Sequence, residues 1–181
     1  MKVGNVFIGL GSNLGNKKDS LLITIDKIKD HQQIEIIQTS SFYYSEPWGF
    51  ESTEYFLNCV VEIRTNLSPM ELLTSFKTIE YELGRTRTFT NEYQDRIIDI
   101  DILYFNNLII EDNDLKIPHP RISERLFVIK PLFEIAPNFC DPISLDSMGN
   151  LLNKCKDVSN IYSEEAYLDE VKSLQNNSKK K

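Results

Sequence analysis

The run Arg96–Phe105, RIIDIDILYF, constrains this chain more than any other stretch of it. It is as apolar as a buried strand, yet it carries two aspartates one residue apart. With a period of two, Ile98, Ile100, Ile102 and Tyr104 fall on one face, and Asp99, Asp101, Leu103 and Phe105 on the other. The two carboxylates are then neighbours, with Cα atoms about 6.5–7 Å apart. One reading is a solvated face beside a buried one. Against it, Leu103 and Phe105 continue the acidic face as apolar residues and leave the sheet open only at its aspartate end. Carboxylates this close repel when both ionise, unless a cation compensates. Hard oxygen ligands with no His or Cys beside them favour Mg²⁺ over a transition metal.

The surroundings of the pair are basic. Arg85, Arg87 and Arg96 bracket the preceding loop, and Arg121 and Arg125 follow the sequence IPHP. Mg²⁺ on carboxylates together with forked guanidinium donors suits a nucleotide triphosphate. Any one arginine would be read as surface solubility, but five near the acid pair make a local anion site. The net charge of −7 does not exclude such a site. It does argue against a general nucleic-acid binder, which needs a surplus of Lys and Arg. Cys59, Cys140 and Cys155 form no C-x-x-C pair, as expected of reduced thiols in the cytoplasm. No signal-peptide pattern opens the chain, and no segment approaches the ~20 apolar residues that span a bilayer. The expectation is a cytoplasmic protein without membrane contact.

Strand and helix signals alternate along the 181 residues. A strand over 3–10 is followed by a helix near 16–30 with Leu21, Leu22, Ile25 and Ile28 on one face. Strands over 34–45 and 55–65 come next. In the latter, Leu57, Cys59, Val61 and Ile63 oppose Phe56, Asn58, Val60 and Glu62. Ser68, Pro69 and Glu71 then write a capping box, Leu72, Phe76, Ile79 and Leu83 recur at helical spacing, and Gly84 stops the helix. Residues 85–95 are polar and aperiodic, a loop long enough to be functional or mobile. After the acidic strand, the mixed stretch RLFVIKPLFEIAP closes the compact part near 137. The order βαββαβ predicts an α+β, ferredoxin-like sandwich with a mixed or antiparallel sheet and both helices on one face. We expect a single domain over 1–158 and a tail over 159–181, partly helical with a frayed basic end.

Two familiar nucleotide motifs are missing. GLGSNLG is one residue out of register for G-x-G-x-x-G, and no G-x-x-x-x-G-K-[ST] occurs, so its glycines are read as backbone turns. Glu80 shares a helical stripe with Leu73 and Phe76. It is read as an edge residue with its head in water, or as an acceptor for a ligand at the helix end. His119, held between two prolines, reads as a turn histidine. Phe56 and Asn58 share one strand face and could line a flat heterocycle, the amide offering a donor and an acceptor on one edge.

The motifs GLGSNLG, FLNCVVEIRTNLSPMELL, IEYELGR, DRIIDIDIL and IPHPRISERLFVIKPLFEIAP together resemble those of the 6-hydroxymethyl-7,8-dihydropterin pyrophosphokinase family, from about Val3 to Pro137. The resemblance implies a ferredoxin-like monomer that moves pyrophosphate from MgATP to the hydroxymethyl group of the pterin and releases AMP, a step of folate synthesis. It implies that Asp99 and Asp101 bind two Mg²⁺ ions and, with Arg85 and Arg96, form the catalytic group. It implies that Glu80, Arg85, Arg96, His119 and Arg125 contact ATP. Ser45, Trp48, Phe56, Asn58, Tyr93 and Phe127 match the pterin pocket. Tyr93 stands where family members often carry Trp, NEYQDR replaces a common W-G-P-R pattern, and Glu46 replaces a frequent Pro. The 85–96 loop is expected to close over the substrates and exclude water. The partners expected are these small molecules, with no nucleic acid. Two rivals stand beside this reading: a non-catalytic ferredoxin-like ligand-binding module, and another Mg²⁺-dependent phosphoryl or nucleotidyl transferase on the same fold.

Overall fold

The computed structural model describes residues 3–85 and 95–178, with side chains over 5–85 and 95–172. Along the chain, β1 (Val3–Ser12) is followed by α1 (Lys17–Lys29), β2 (Ile34–Thr39), β3 (Tyr43–Ser45), β4 (Phe56–Thr65), α2 (Pro69–Glu82) and β5 (Asp99–Phe105). A small hairpin of β6 (Ile110–Glu111) and β7 (Lys116–Ile117) comes next. Then follow α3 (Leu126–Ile135), α4 (Met148–Lys154), β8 (Ile161–Ser163) and α5 (Glu164–Ser178). The main sheet runs β5-β1-β4-β3-β8, and every pairing in it is antiparallel. β2 lies against the C-terminal half of β4 and β3 against its N-terminal end. Among the described residues no helix is long and apolar enough to cross a membrane.

The expected two helices on one face are present, and their ends follow local chemistry. Asn16 accepts the Asp19 N–H at the start of α1. Ser68 and Glu71 make both bonds of the capping box on α2, and Gly84, at φ +88°, ends it. Leu21 and Ile28 from α1 and Leu72, Phe76 and Ile79 from α2 bury against Val6, Ile8, Leu10, Leu57, Val61 and Ile63. Leu22, expected on the buried face, is exposed, and Thr24 is buried in its place. The stripe through 21, 24 and 28 leaves position 22 outside it. Thr24 satisfies its hydroxyl by donating to the Ser20 carbonyl at 2.7 Å. The single strand expected over 34–45 is two, β2 and β3, separated where the Ser40 hydroxyl accepts the Val60 N–H.

The other face carries a layer that the sequence pattern hid. α3 and α4 cover Phe7, Val60, Leu103 and Tyr104 with Val128, Ile129, Leu132, Met148 and Leu151. The stretch read as mixed, ending near 137, is therefore helical in its first part, with Pro131 inside the helix. An interior proline disfavours a helix by ~3 kcal/mol, which masks the periodicity. Burial of the flanking apolar side chains outweighs it. Within this layer the Tyr104 hydroxyl donates to Asp141 Oδ2 at 2.9 Å.

One register shift decides which way β5 faces. Phe7 pairs with Tyr104 but Ile8 with Ile102, so Leu103 is an extra residue in the strand. Beyond it the alternation inverts. Tyr104, expected beside the isoleucines, turns to the α3–α4 side with Leu103, and Phe105 joins Ile98, Ile100 and Ile102 in the first core. The carbonyl of Leu103 accepts the His119 N–H at 2.9 Å, which hangs the IPHP segment on the strand.

Phe76 is 1% exposed between α2 and the sheet. Phe76→Ala is expected to cost ~3–5 kcal/mol. The check is urea unfolding, with a lower midpoint and an unchanged slope.

Candidate active site

The α3–α4 layer stops short of the β4–β1–β5 ends, and a cavity of ≈ 240 Å³ lies there. Its floor is made by two glycines. Gly9 pairs with Asp101 and Gly11 with Asp99 on β5, while on the β4 side Gly11 pairs with Asn58. Both lie inside β1 rather than in a turn, contrary to the reading of GLGSNLG. Of this motif, Gly15 alone takes a left-handed φ, +63°. A Cβ on Gly11 would lie 3.0 Å from Asn58 Oδ1, and one on Gly9 3.4 Å from the Leu103 side chain. Glycine here keeps the sheet surface low enough for a ligand to rest on the backbone.

The acidic end of the cavity is a chain of charges. Asp99 accepts from Arg85 Nη1 at Oδ1, 2.6 Å, and from Arg96 Nη1 at Oδ2, 2.9 Å. Arg85 also pairs with Glu80. Burial works against the Arg85 charge, but the carboxylates of Asp99 and Glu80 outweigh it and raise its pKa. Glu80 is the main departure from expectation. It neither holds its head in water nor lines the cavity. It is 4% exposed, and its Oε1 also accepts the Ile100 N–H at 2.8 Å. A carboxylate buried with a guanidinium and a backbone donor is satisfied; Glu80 thus holds Arg85 and the backbone of β5 together.

Asp101 stands apart from this chain. Among the described residues its ion-pair partner is Arg125, with Nη1 4.0 Å from Oδ2, and 38% of its side chain stays open to the cavity. That opening leads into a recess rather than to bulk water. Desolvation first, and the charge of Asp99 second, raise its pKa well above the usual carboxylate range, against the pull of Arg125 and Arg96. His119, which lines the same recess, is held down at about 4 by burial, with Arg125 and Arg121 adding to it against Asp99. Its Nδ1 accepts the Arg121 N–H at 3.3 Å. A bare Nδ1 in a neutral ring puts the proton on Nε2.

The opposite end is flat and aromatic. The Arg125 guanidinium lies 5.0 Å from the Trp48 ring centroid and 5.7 Å from that of Phe127, and Arg96 lies 5.6 Å from Phe56. Arg121 also stands over Trp48, at 5.4 Å. Asn58 donates from Nδ2 to Ser45 Oγ at 3.0 Å and to the Tyr43 carbonyl at 3.4 Å. A carbonyl only accepts, so the nitrogen is the atom on that side. The expected donor–acceptor edge on one amide is therefore divided. Asn58 offers only its Oδ1, and Ser45, which receives the amide proton, keeps its own hydroxyl hydrogen to donate.

Of the side chains singled out from the sequence, Asp99, Asp101, Arg85, Arg96, His119 and Arg125 meet at one end of this cavity. Ser45, Trp48, Phe56, Asn58 and Phe127 meet at the other. Arg87 and Tyr93, with most of the loop expected to close, lie outside the described residues. Sequence reasoning missed the floor glycines and two further residues. Phe50 lines the cavity from the turn after Trp48. Asn13, fully buried, accepts the Arg96 N–H at 2.7 Å and donates to Asp95 at 2.6 Å, while its own N–H reaches the Arg96 carbonyl at 3.1 Å. Strand parity could have found the glycines, which alternate with Ile8 and Leu10. Nothing in the local pattern marks Asn13, whose partners are about eighty residues away.

Comparison with known proteins agrees with this geometry. The model of the 7,8-dihydro-6-hydroxymethylpterin-pyrophosphokinase (HPPK) family matches residues 7–137. The chain is 42% identical to the 2-amino-4-hydroxy-6-hydroxymethyldihydropteridine pyrophosphokinase of Aquifex aeolicus, over 78% of this chain and 86% of that one. It is 44% identical to the enzyme of the same name from Bacillus subtilis, over 71% and 76%. It is also 44% identical to a folic acid synthesis protein of Dictyostelium discoideum, covering 82% of this chain but only 23% of that longer protein. Among solved structures, an HPPK-DHPS in complex with substrates superposes with a TM-score of 0.68 at 16% identity, over 84% of this chain and 43% of that one. The wild-type HPPK-DHPS of Plasmodium falciparum gives 0.65 at 18%, over 85% and 45%. At these identities the superpositions establish the fold, and they agree with the ferredoxin-like α+β arrangement.

The raised pKa of Asp101 has a thermodynamic sign. Between the ordinary carboxylate range and the raised value the folded protein binds more protons than the unfolded one, so ionised Asp101 lowers stability as pH rises. In metal- and nucleotide-free protein, Asp101→Asn is expected to raise Tm at pH 8. The gain should fade as the pH is lowered through the raised pKa. Paired thermal melts of the two proteins across this range make the check, and a lower Tm for the variant at pH 8 would contradict the assignment.

Proposed function

The chain belongs to the 7,8-dihydro-6-hydroxymethylpterin-pyrophosphokinase family, and from that premise we propose that it transfers pyrophosphate from ATP to the hydroxymethyl group of 6-hydroxymethyl-7,8-dihydropterin and releases AMP. One observation carries the reading: a single cavity joins an acid pair ringed by guanidiniums to an aromatic slot edged by Ser45 and Asn58. The pterin lies in the slot, over the glycine floor and between aromatic walls from Trp48, Phe56 and Phe127. The Ser45 hydroxyl donates to, and Asn58 Oδ1 accepts from, the amide-like edge of the heterocycle. The triphosphate lies at the other end, where Arg85, Arg96 and Arg125 bind it and the neutral Nε2–H of His119 donates to an oxygen without adding charge.

Mg²⁺ fits the donor set. Asp99 and Asp101 supply hard oxygens, and Asp101, whose ionisation the recess penalises, gains most from a cation. Among the described residues no group of three or more His, Cys, Asp or Glu side chains could hold a metal. Phosphate oxygens and water would complete its coordination, as is usual for this ion. When bound, two such ions supply charge neutralisation along the polyphosphate. The hydroxymethyl oxygen attacks the β-phosphorus in line; the O–Pβ bond forms as the bond to the α-phosphate oxygen breaks, AMP leaves with that electron pair, and the hydroxyl proton passes to water. Arg85 and Arg96 oppose the charge gathering on the transferred group. They are pre-aimed because Glu80 holds one and Asn13 the backbone of the other. The protein acts as a monomer in the cytoplasm on these two small molecules.

AMP and ADP are to be quantified after incubation with ATP, Mg²⁺ and the pterin. Pterin-dependent AMP is expected; ADP instead would point to a different phosphoryl transfer, and neither to a binding module. Asp99→Ala and Asp101→Ala are each expected to lower turnover by roughly two to three orders of magnitude at saturating Mg²⁺, with the fold intact. Near-normal turnover in both would remove the metal role. Arg96→Ala should lose far more than Arg121→Ala. Gly11→Ala, whose Cβ crowds Asn58 Oδ1, should raise the KM for pterin about tenfold, the equivalent of ~1.4 kcal/mol, and leave that for ATP unchanged. An unchanged pterin KM would mean that the amide is not the reading group.

A further inference from the structure

The segment after α4 lies beyond the residues that the family model matches, yet it touches two walls of the cavity. At its start Asp157 Oδ2 accepts the Leu126 N–H at 2.9 Å. Leu126 is the first residue of α3, whose preceding residue, Arg125, makes no side-chain cap of its own. Asp157 thus caps from afar the helix end that carries Arg125 and Phe127. The Ser159 hydroxyl and N–H bind its Oδ1 at 2.6 and 2.9 Å and hold it in place.

Four residues further on, β8 pairs with β3, setting Ser45 opposite Ile161, Tyr44 opposite Tyr162 and Tyr43 opposite Ser163. Without β8, β3 would be a three-residue edge strand held on one side, and such strands fray. With it, β3 becomes interior, and β3 is the strand that brings Ser45 to Asn58. The Tyr167 ring stacks on Tyr44 at 3.9 Å and 15°, and stands 5.4 Å from Tyr55. Lys18 pairs with Glu164 at 2.9 Å, and Asn160 donates to Glu46 at 3.0 Å. These contacts fasten the segment to α1 and to the turn after β3.

We propose that residues 157–167 are a strap that positions the substrate-reading walls: β8 and Tyr167 set the Ser45 edge, and Asp157 sets the α3 end. The inference rests on the pterin and ATP assignment of the two ends of the cavity. Its residues touch no substrate and are positioning residues. The two fastenings act on different walls, so they leave different kinetic signatures, which a general loss of stability does not.

The experiment uses the full chain, MgATP and hydroxymethyldihydropterin, with thermal melts to verify folding. Tyr167→Ala is expected to raise the KM for pterin about tenfold and leave the KM for ATP within about twofold, with Tyr167→Phe restoring the wild-type value. Asp157→Ala is expected to raise both constants, since Arg125 and Phe127 sit on the same helix end. Asp157→Asn keeps an acceptor for the Leu126 N–H and should recover most of the loss. Trp48, the chain's one tryptophan, gives an independent reading of pterin binding through its emission. Unchanged constants in both folded alanine variants overturn the strap, as does a parallel rise of both constants in Tyr167→Ala. If Asp157→Ala fails to fold, Tyr167→Ala decides alone. If both fail, the segment is a folding element and the inference is equally overturned. A wild-type protein that makes no pterin-dependent AMP sinks the assignment of function instead.

Discussion

The site depends on one partly buried chain of opposite charges, Glu80–Arg85–Asp99–Arg96, anchored on the buried Glu80. It runs from a helix on one side of the sheet to a strand whose acidic face lies on the other. Buried ion pairs are costly unless each partner is fully engaged, and breaking one leaves a desolvated charge behind. Here three members of the chain have two charged or backbone partners each: Glu80 holds Arg85 and the Ile100 amide, Arg85 holds Glu80 and Asp99, and Asp99 holds two guanidiniums. The guanidiniums therefore reach the cavity already oriented, and little ordering is left for a ligand to impose. Asp101, one residue pair along the strand, has among the described residues only the longer 4.0 Å pair with Arg125, and keeps its carboxylate toward the recess.

The recess exists because of what is missing from β1. Val6, Ile8 and Leu10 fill the first core, while the alternate positions nearest the aspartates carry no side chain at all. Glycine in a strand interior weakens it, and here the loss is offset by the strands on both sides. The extra residue at Leu103 ends the acidic face and delivers His119 to its rim through a backbone bond. A bulge beside a site is a common means of redirecting side chains. In this protein it separates a polar half of the sheet face from an apolar half covered by α3 and α4.

Much of the first layer was legible from local pattern. The capping box, the helical stripe of α2 and the alternation in β4 are written within a few residues of one another, and the elements formed as read. The neighbouring acids and the arginines around them were also legible, since period two puts Asp99 beside Asp101 in any strand. What failed did so where partners lie far along the chain. Glu80 looked like a solvated edge residue because Ile100 and Arg85 are invisible from its own helix. Pro131 disguised α3, and the bulge reversed Tyr104 and Phe105, because tertiary burial decided both.

By itself the amino-acid sequence determined β1, α1, β4, α2 and β5, their order, and the chemistry of the groups that would meet. Those are properties of neighbours within one turn or one strand, where backbone sterics and side-chain period act alone. Only the tertiary structure decided that the glycines make a floor rather than turns, and that Asn58 shows an acceptor while Ser45 supplies the donor. It also decided that Asn13 and Asp157 hold the walls from outside them. Each of these is a hydrogen bond or a steric vacancy between residues distant in sequence, and its value is set by the register in which strands and helices finally dock.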